Sequence, residues 1–230
     1  MNQRPGESRL DLLNRNAAIF AEIVPQVLLH CRPLFLVATN PVDIMTWITT
    51  RIAGATCAVI GSGTILDSAR FRALLGAHLG ISVHSVHAHV IGEHGDSEVL
   101  CWSSATIGGI PVSRVAESRE RPITDEIRRK IDIGVRKAAY TIIEGKGATW
   151  FGIGAGLSRL VQAIAADERA LFTVSACPVG NIEGPALSLP RIVGASGVVQ
   201  TLEPSLDADE EQGLATSRRI LANILSQLHW

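Results

Sequence analysis

The sequence predicts an α/β protein, in which the end of a parallel sheet is followed by an α+β region with antiparallel strands. Two patterns carry this prediction. Near the start, short apolar runs alternate with helical spacing, as in parallel sheets. Towards the end, three strand-like runs follow one another without a helix between them. The chain has 230 residues, 47% apolar and 19% charged, so it is able to bury a substantial core.

The first segment has a helix–strand–helix–strand pattern. A helix begins near Ser8, whose hydroxyl can cap it, and continues past Pro25. LFLVA (34–38) and CAVIG (57–61) are predicted as buried strands, and a helix over 44–52 connects them. Two or three strands do not make a parallel sheet alone, so we expect an open sheet edge.

The pattern changes after residue 63, and we place a domain boundary near residue 62. The first domain is then 1–62 and the second is 63–230. Predicted helices cover 64–80, 123–146, 147–167 (after a glycine-rich start) and 207–228. Predicted strands cover 85–92, 172–179, 186–194 and 198–202.

Charge, hydropathy and cysteine usage narrow the function classes. The formal net charge is -1, which gives no electrostatic case for nucleic acid or an anionic membrane. No apolar run approaches the roughly 18 residues of a membrane helix. The four cysteines have no CxxC spacing, which favours a reducing, cytoplasmic setting without structural zinc or disulfides.

The densest polar cluster is HAHVIGEHGDS, residues 87–97. Together with His84, the histidines His87, His89 and His94 are compatible with a metal site, although their spacing is not specific for one. Alternatively, His87 and His89 are ordinary strand residues. His94 differs, because flanking glycines let its imidazole reach the rim of a pocket, where histidine is the usual acid or base.

Two further motifs contain candidate residues. In LDSARFR (66–72), Asp67 and Arg70 share one helix face. They are either a surface ion pair or a histidine partner and an anion-binding group. TNPVD (39–43) follows a buried strand, where open α/β sheets bind ligands, but it also has the composition of a simple turn.

Taken together, these motifs resemble the lactate/malate dehydrogenase family, in its L-lactate dehydrogenase branch. NQRPGESRLDL, ATNPVDI, GSGTILDSARFR, HAHVIGEHGDS and KGAT occur in the family's order, from residue 2 to about residue 225. The resemblance implies a Rossmann-type sheet remnant before the catalytic domain. It also implies NADH-dependent interconversion of pyruvate and L-lactate at the end of glycolysis.

The resemblance assigns roles to residues of this chain. His94 would exchange the proton with the substrate, and Asp67 would orient the imidazole of His94. Arg9 would polarise the substrate carbonyl. The carboxylate would bind Arg70, with Thr149 lining the pocket. Asn40 would contact substrate and the nicotinamide ribose of NAD.

The resemblance also bears on specificity and regulation. Gln3 stands where malate dehydrogenases carry arginine, so it favours pyruvate over oxaloacetate, and malate dehydrogenase is the weaker interpretation. Arg72 and His87 match the residues that bind fructose 1,6-bisphosphate in allosteric bacterial members. That site lies between subunits, which implies a homotetramer.

One departure from the family pattern concerns the cofactor. No GxGxxG motif of a βαβ unit is found, so we expect the NAD site to be incomplete and the N-terminal part of the cofactor domain to be missing. Two hypotheses follow. The chain is a truncated L-lactate dehydrogenase that is inactive alone, or a non-catalytic pseudo-enzyme fragment that acts as an interaction module.

Overall fold

The structure, a computed structural model, describes residues 9–54, 57–138, 142, 144–145, 147, 149–178, 181 and 183–228. Its helices are α1 (Arg9–His30), α2 (Val42–Ala53), α3 (Ile65–Leu79), α4 (Val112–Ser118), α5 (Asp125–Arg136), α6 (Trp150–Ala165) and α7 (Ala208–Ser226). Its strands are β1 (Phe35–Val37), β2 (Val59–Gly61), β3 (Val86–His87), β4 (Val90–Ile91), β5 (Val99–Leu100), β6 (Thr106–Ile107), β7 (Ile110–Pro111), β8 (Ala170–Ala176), β9 (Leu187–Gly194) and β10 (Gly197–Thr201).

A five-stranded mixed sheet in the order β1-β2-β8-β9-β10 joins the two ends of the chain. β1 and β2 are parallel and are connected by α2, as the alternating pattern predicts. β2 pairs antiparallel with β8 through Gly61 and Ser175, and β8, β9 and β10 form antiparallel hairpins. The edge of β2 away from β1 is therefore covered by β8 rather than open. The predicted mixed α/β class is confirmed.

The sheet's first strands and α2 form the centre of one hydrophobic core. Nearly all of α2 is buried, including Ile44, Met45 and Ile48 at 1% exposure or less. Residues of α1 and α7 pack against the same cluster, among them Ala17 and Leu221. A largely buried helix thus follows the TNPVD turn and places Asp43 inside the protein.

The second part of the chain differs from expectation in one strand. The segment 85–92, predicted as one strand, forms β3 and β4, which belong to two different small sheets. For the helix predicted over 123–146, the structure gives α5 up to Arg136 and helical conformation at residues 138, 142, 144 and 145, while 139–141, 143 and 146 lie outside the described residues. By contrast, α3 ends as predicted at Gly80, whose φ of 66° gives the left-handed turn that glycine adopts without strain.

The division at residue 62 stays a prediction, since the mixed sheet runs across it. None of the helices in the described ranges has the length and hydropathy of a membrane span.

Candidate active site

The centre of the site is a hydrogen bond between His94 and Asp67. The Nδ1–H of His94 donates to Oδ2 of Asp67 at 2.7 Å. Asp67 is 2% exposed in the first turn of α3, whereas the side chain of His94 is 28% exposed. A buried carboxylate thus orients an imidazole that solvent or a ligand is able to reach. This is the arrangement in which a histidine gives or takes a proton.

Arg70 binds the other oxygen of the same carboxylate. Its Nη1 donates to Oδ1 of Asp67 at 2.8 Å, and its side chain is 21% exposed. The surface ion pair that the sequence left open does not fit, because Asp67 is buried. A guanidinium has five N–H donors in a planar fork, so Arg70 retains donors for a second anion.

The charges around His94 favour its protonated form. Burial alone disfavours the imidazolium, but the hydrogen bond to Asp67 and the negative charges of Asp67, Asp43 and Glu98 outweigh it. They raise the pKa of His94 to about 9. The group therefore holds a proton at neutral pH, as a proton donor must.

The GEHGD loop that carries His94 is anchored by β9 and α7. Gly92 exchanges two backbone hydrogen bonds with Ser188, at 2.8 and 2.9 Å, and the backbone N–H of Glu93 donates to Ser217 Oγ at 2.5 Å. Gly92 has a φ of 90°, and a Cβ there would lie 2.7 Å from Ser217 Oγ. Only glycine allows this close approach of loop and helix.

Asp43, in the first turn of α2, fixes the same loop from the other side. Its Oδ2 accepts from the backbone N–H of His94 at 2.7 Å, and its Oδ1 accepts from Ser175 Oγ at 2.6 Å. Burial raises the pKa of Asp43 to about 6, against the opposing effect of these hydrogen bonds. The TNPVD motif is thus more than a turn, because its aspartate connects β8 to the histidine loop.

Glu98 is a second buried carboxyl group at the site. It is 4% exposed, and one possible ligand atom from each of Glu98, Asp67 and His94 lies within 4.8 Å of the other two. Burial and the charge of Asp67 raise its pKa to about 8, although Arg136 and His94 oppose this. Sequence reasoning missed Asp43 and Glu98, although both stand in or directly beside the quoted motifs.

The group of Asp67, His94 and Glu98 has the residue types of a metal site, but its protonation opposes one. Metal ligation requires a deprotonated imidazole nitrogen, and the raised pKa of His94 keeps both of its ring nitrogens protonated at neutral pH. Arg70 adds a positive charge on the same carboxylate. Among the described residues, His84, His87 and His89 do not join a close group of three possible ligands.

The structure gives less detail for the other residues that the resemblance assigns to the substrate site. Asn40 is exposed after β1, and its peptide bond to Pro41 is cis. Thr149 is half-buried directly before α6, whose Gly152 and Gly156 pack against Leu66 of α3. For Arg9 the structure gives only its place at the start of α1. Gln3 lies outside the described residues.

The two residues matched to phosphate binding lie on α3 and β3. Nη1 of Arg72 donates to the Ala88 carbonyl at 3.4 Å, while His87 is exposed on β3 opposite Thr106. Burial and the positive charges of Arg72 and His87 lower the pKa of the neighbouring His89 to about 4. Arg72 and His87 therefore both lie close enough to His89 for their charges to act on it.

Comparisons with known proteins cover the whole chain. The family model for the lactate/malate dehydrogenase NAD binding domain matches residues 1–74, and the model for the alpha/beta C-terminal domain matches residues 64–229. The chain is 55% identical to the L-lactate dehydrogenase of Thermus aquaticus, over 98% of this chain and 74% of that protein. It is 51% identical to that of Deinococcus radiodurans, over 99% of this chain and 74% of that protein.

Solved structures agree with these comparisons. The minor L-lactate dehydrogenase of Enterococcus mundtii in its ligand-bound form superposes with a TM-score of 0.93 at 37% identity, over 100% of this chain and 74% of that one. A lactate dehydrogenase from a deep-sea metagenome library gives a TM-score of 0.92 at 36% identity, over 98% and 73% of the two chains. The chain therefore belongs to the lactate/malate dehydrogenase family of NAD-dependent oxidoreductases.

Proposed function

We propose that the protein interconverts pyruvate and L-lactate with NAD as the cofactor, and that His94 is the group that exchanges the proton. The expectation that this chain is inactive alone stays a prediction, and the NADH oxidation assay described below tests it. The observation that carries this proposal is the buried Asp67 carboxylate on Nδ1 of His94, with Arg70 on its second oxygen. One cation and one proton donor thus occur together. A substrate with a carboxylate beside a carbonyl needs both.

The proton moves at Nε2 of His94, because Nδ1 is occupied by Asp67. In pyruvate reduction Nε2–H donates to the carbonyl oxygen, and Asp67 stabilises the imidazolium before this transfer. In lactate oxidation the neutral imidazole accepts the hydroxyl proton. The raised pKa of His94, about 9, keeps the donor form populated at neutral pH.

The substrate carboxylate binds Arg70 through the donors that Asp67 leaves free, as two parallel hydrogen bonds. Arg9 polarises the carbonyl in this proposal, and Thr149 lines the pocket beside it. α6 packs on α3 through glycines, which supports a pocket that Thr149 and Arg70 share. Catalysis is then largely the positioning of an anion between fixed charges.

The described residues fit a nicotinamide cofactor at the ends of the parallel strands. Asn40 follows β1 at the carboxyl end of the parallel pair, which is the edge where open α/β sheets bind ligands, and its side chain is exposed. Asn40 would contact the ribose and the substrate. When bound, the reduced cofactor supplies the hydride.

A direct assay distinguishes the two activities of the family. Pyruvate-dependent oxidation of NADH, followed by absorbance, is expected to exceed the oxaloacetate-dependent rate. Gln3→Arg is expected to move this preference towards oxaloacetate, because it provides a cation for a second carboxylate. A preference for oxaloacetate in the unaltered protein, or no movement with Gln3→Arg, would contradict the substrate assignment.

A regulatory role for fructose 1,6-bisphosphate is part of the proposal. The positive charges of Arg72 and His87 both lie close enough to act on His89, and Arg and His⁺ form strong charge-assisted hydrogen bonds with a phosphate. The expected assembly is a homotetramer in the cytoplasm. Two results would support this: the sugar bisphosphate activates the unaltered protein but not Arg72→Ala, and light scattering gives a tetrameric mass. Activation that survives Arg72→Ala would contradict it.

A further inference from the structure

Glu98 is a buried carboxyl group to which the proposed reaction gives no role. It is 4% exposed, and its Oε1 has no hydrogen-bond partner within the described residues. The oxygen and nitrogen atoms that it, Asp67 and His94 offer all lie within 4.8 Å of one another. A buried polar atom without a partner is costly, so its presence beside the reacting histidine requires an explanation.

The backbone, and not the carboxyl group, holds Glu98 in this place. Nη2 of Arg136 donates to the carbonyl of Glu98 at 2.6 Å, and Nη1 donates to the carbonyl of Asp96 at 2.7 Å. Asp132 binds Arg136 at 2.9 and 3.0 Å. The next residue, Val99, pairs with β4. The carboxyl group is therefore held near His94 by the backbone, and its Oε1 has no hydrogen-bond partner within the described residues.

Charged groups face Glu98 from each neighbouring element. They are Asp67 on α3, Asp132 and Arg136 on α5, and His94 on the same loop. Burial and Asp67 favour its neutral form, while Arg136 and His94 favour its charged form, and the pKa of Glu98 rises to about 8. Unlike an exposed glutamate, Glu98 therefore changes its charge in the pH range where His94 exchanges its proton.

Two more charges act on the pair from outside this group. Arg70 binds Asp67, and Asp43 binds the backbone N–H of His94. Asp43, whose pKa is about 6, ionises at lower pH than Glu98, whose pKa is about 8 and closer to that of His94. Glu98 is thus the neighbour of His94 whose charge is best able to respond to the protonation of the imidazole.

We propose that Glu98 is a positioning residue for the acid–base chemistry of His94, acting through the Asp67–His94 pair to control the proton occupancy of the imidazole. This inference rests on the proposed function of His94. Ionised Glu98 stabilises the imidazolium, and protonated Glu98 permits release of the proton. As pH rises, ionisation of Glu98 keeps His94 charged to higher pH, which extends the range of pyruvate reduction and delays the onset of lactate oxidation.

The test measures the pKa of His94 in the full chain by NMR. The imidazole resonance of His94 is identified by its absence from the spectrum of His94→Asn. Glu98→Gln and Glu98→Met both remove the ionisable group at similar length. Each is expected to lower the pKa of His94 by about half a pH unit or more. The alkaline limb of kcat/KM for pyruvate should move in the same direction.

Ser97→Ala is the matched control. Ser97 directly precedes Glu98, and its substitution removes hydrogen bonds to Glu93 and Ser217 without changing a charge. The pKa of His94 should therefore stay at its original value. A folded Glu98→Gln or Glu98→Met protein with an unchanged His94 pKa would overturn the proposal. If one variant does not fold, the other carries the test.

Asp67→Asn separates this inference from the function on which it rests. If Asp67→Asn does not lower the pKa of His94, the proposed Asp67–His94 pair is wrong. If Asp67→Asn lowers it and the Glu98 variants do not, only the role of Glu98 fails.

Discussion

Nδ1 of His94 and Oδ2 of Asp67 lie 2.7 Å apart although 27 residues separate them in the sequence. Asp67 is fixed in the first turn of α3. His94 is fixed by the bonds between Gly92 and Ser188 of β9 and by Asp43 of α2. Three separate elements therefore determine one hydrogen bond. The proton chemistry depends on this pairing, which allows direct tests.

Asp67→Asn should retain the fold and lose most of the activity. The amide removes the charge that stabilises the imidazolium, and it favours the wrong tautomer of His94. We expect kcat/KM for pyruvate to fall by roughly 10²–10⁴-fold, the usual contribution of a positioned acid or base. Steady-state kinetics would measure this loss.

Asp96→Asn is the control for that substitution, because it neutralises an exposed acid on the loop that carries His94. Its activity should remain within about threefold of the original, as expected for a screened surface charge. Equal losses in the two variants would indicate a general effect of loop charge and not a role for Asp67.

Arg70→Lys should weaken recognition of the substrate carboxylate. A lysine retains the charge but loses the planar fork, so the two parallel hydrogen bonds become one. We expect kcat/KM for pyruvate to fall by roughly 10–100-fold, corresponding to one charge-assisted hydrogen bond. The rate with a neutral methyl ketone should change much less.

Arg129→Lys, on the exposed face of α5, provides the comparison and should leave both rates unchanged. If Arg70→Lys lowered the rates with pyruvate and with the neutral ketone equally, Arg70 would support the site without binding the carboxylate.

Two substitutions at Asp43 should separate its hydrogen bonds from its charge. An asparagine side chain is able to accept from the backbone N–H of His94 and to donate to Ser175, so Asp43→Asn should retain stability. Asp43→Ala leaves both partners unpaired in a buried position and should cost about 2–5 kcal/mol of unfolding free energy. Urea denaturation measures both.

The charge of Asp43 is one of those that raise the pKa of His94, so Asp43→Asn should also lower that pKa. A large loss of stability in Asp43→Asn would show that the charge itself is required for folding.

The pKa of His94 also predicts how stability depends on pH. The pKa of His94 in the folded protein, about 9, lies above its ordinary value of 6.5. Protonation of His94 therefore stabilises the folded state fully below pH 6.5, and this stabilisation is lost as pH rises through 9. Glu98, raised from 4.5 to about 8, contributes with the same sign. The free energy of unfolding should therefore decrease between pH 6.5 and 9, as measured by denaturant titration at each pH.

His94→Asn should reduce the slope of that decrease. The same slope in His94→Asn would assign the pH dependence to other groups.

The sequence was sufficient for the residues whose role follows from local spacing. Asp67 and Arg70 share a face of α3 because they are three residues apart, and the glycines around His94 indicate an exposed loop. The α/β class followed in the same way, from the length and order of the apolar runs.

Features that depend on distant contacts were not predictable. The pairing of Gly61 with Ser175 decides that antiparallel strands continue the parallel pair, and no local pattern encodes it. Asp43 and Glu98 were missed for the same reason, since their importance arises from burial beside His94. Residues 85–92 were misjudged because β3 and β4 have different partners.

The most direct test of the central claim is kcat/KM for pyruvate, with NADH at saturation, in the unaltered protein and in His94→Asn. Asparagine is close in size and polarity but has no titratable proton. We expect the unaltered protein to oxidise NADH when pyruvate is present, and we expect His94→Asn to lower this activity by at least about 10²-fold. The pH profile of the residual rate should show no alkaline pKa. Turnover in His94→Asn equal to that of the unaltered protein would contradict it.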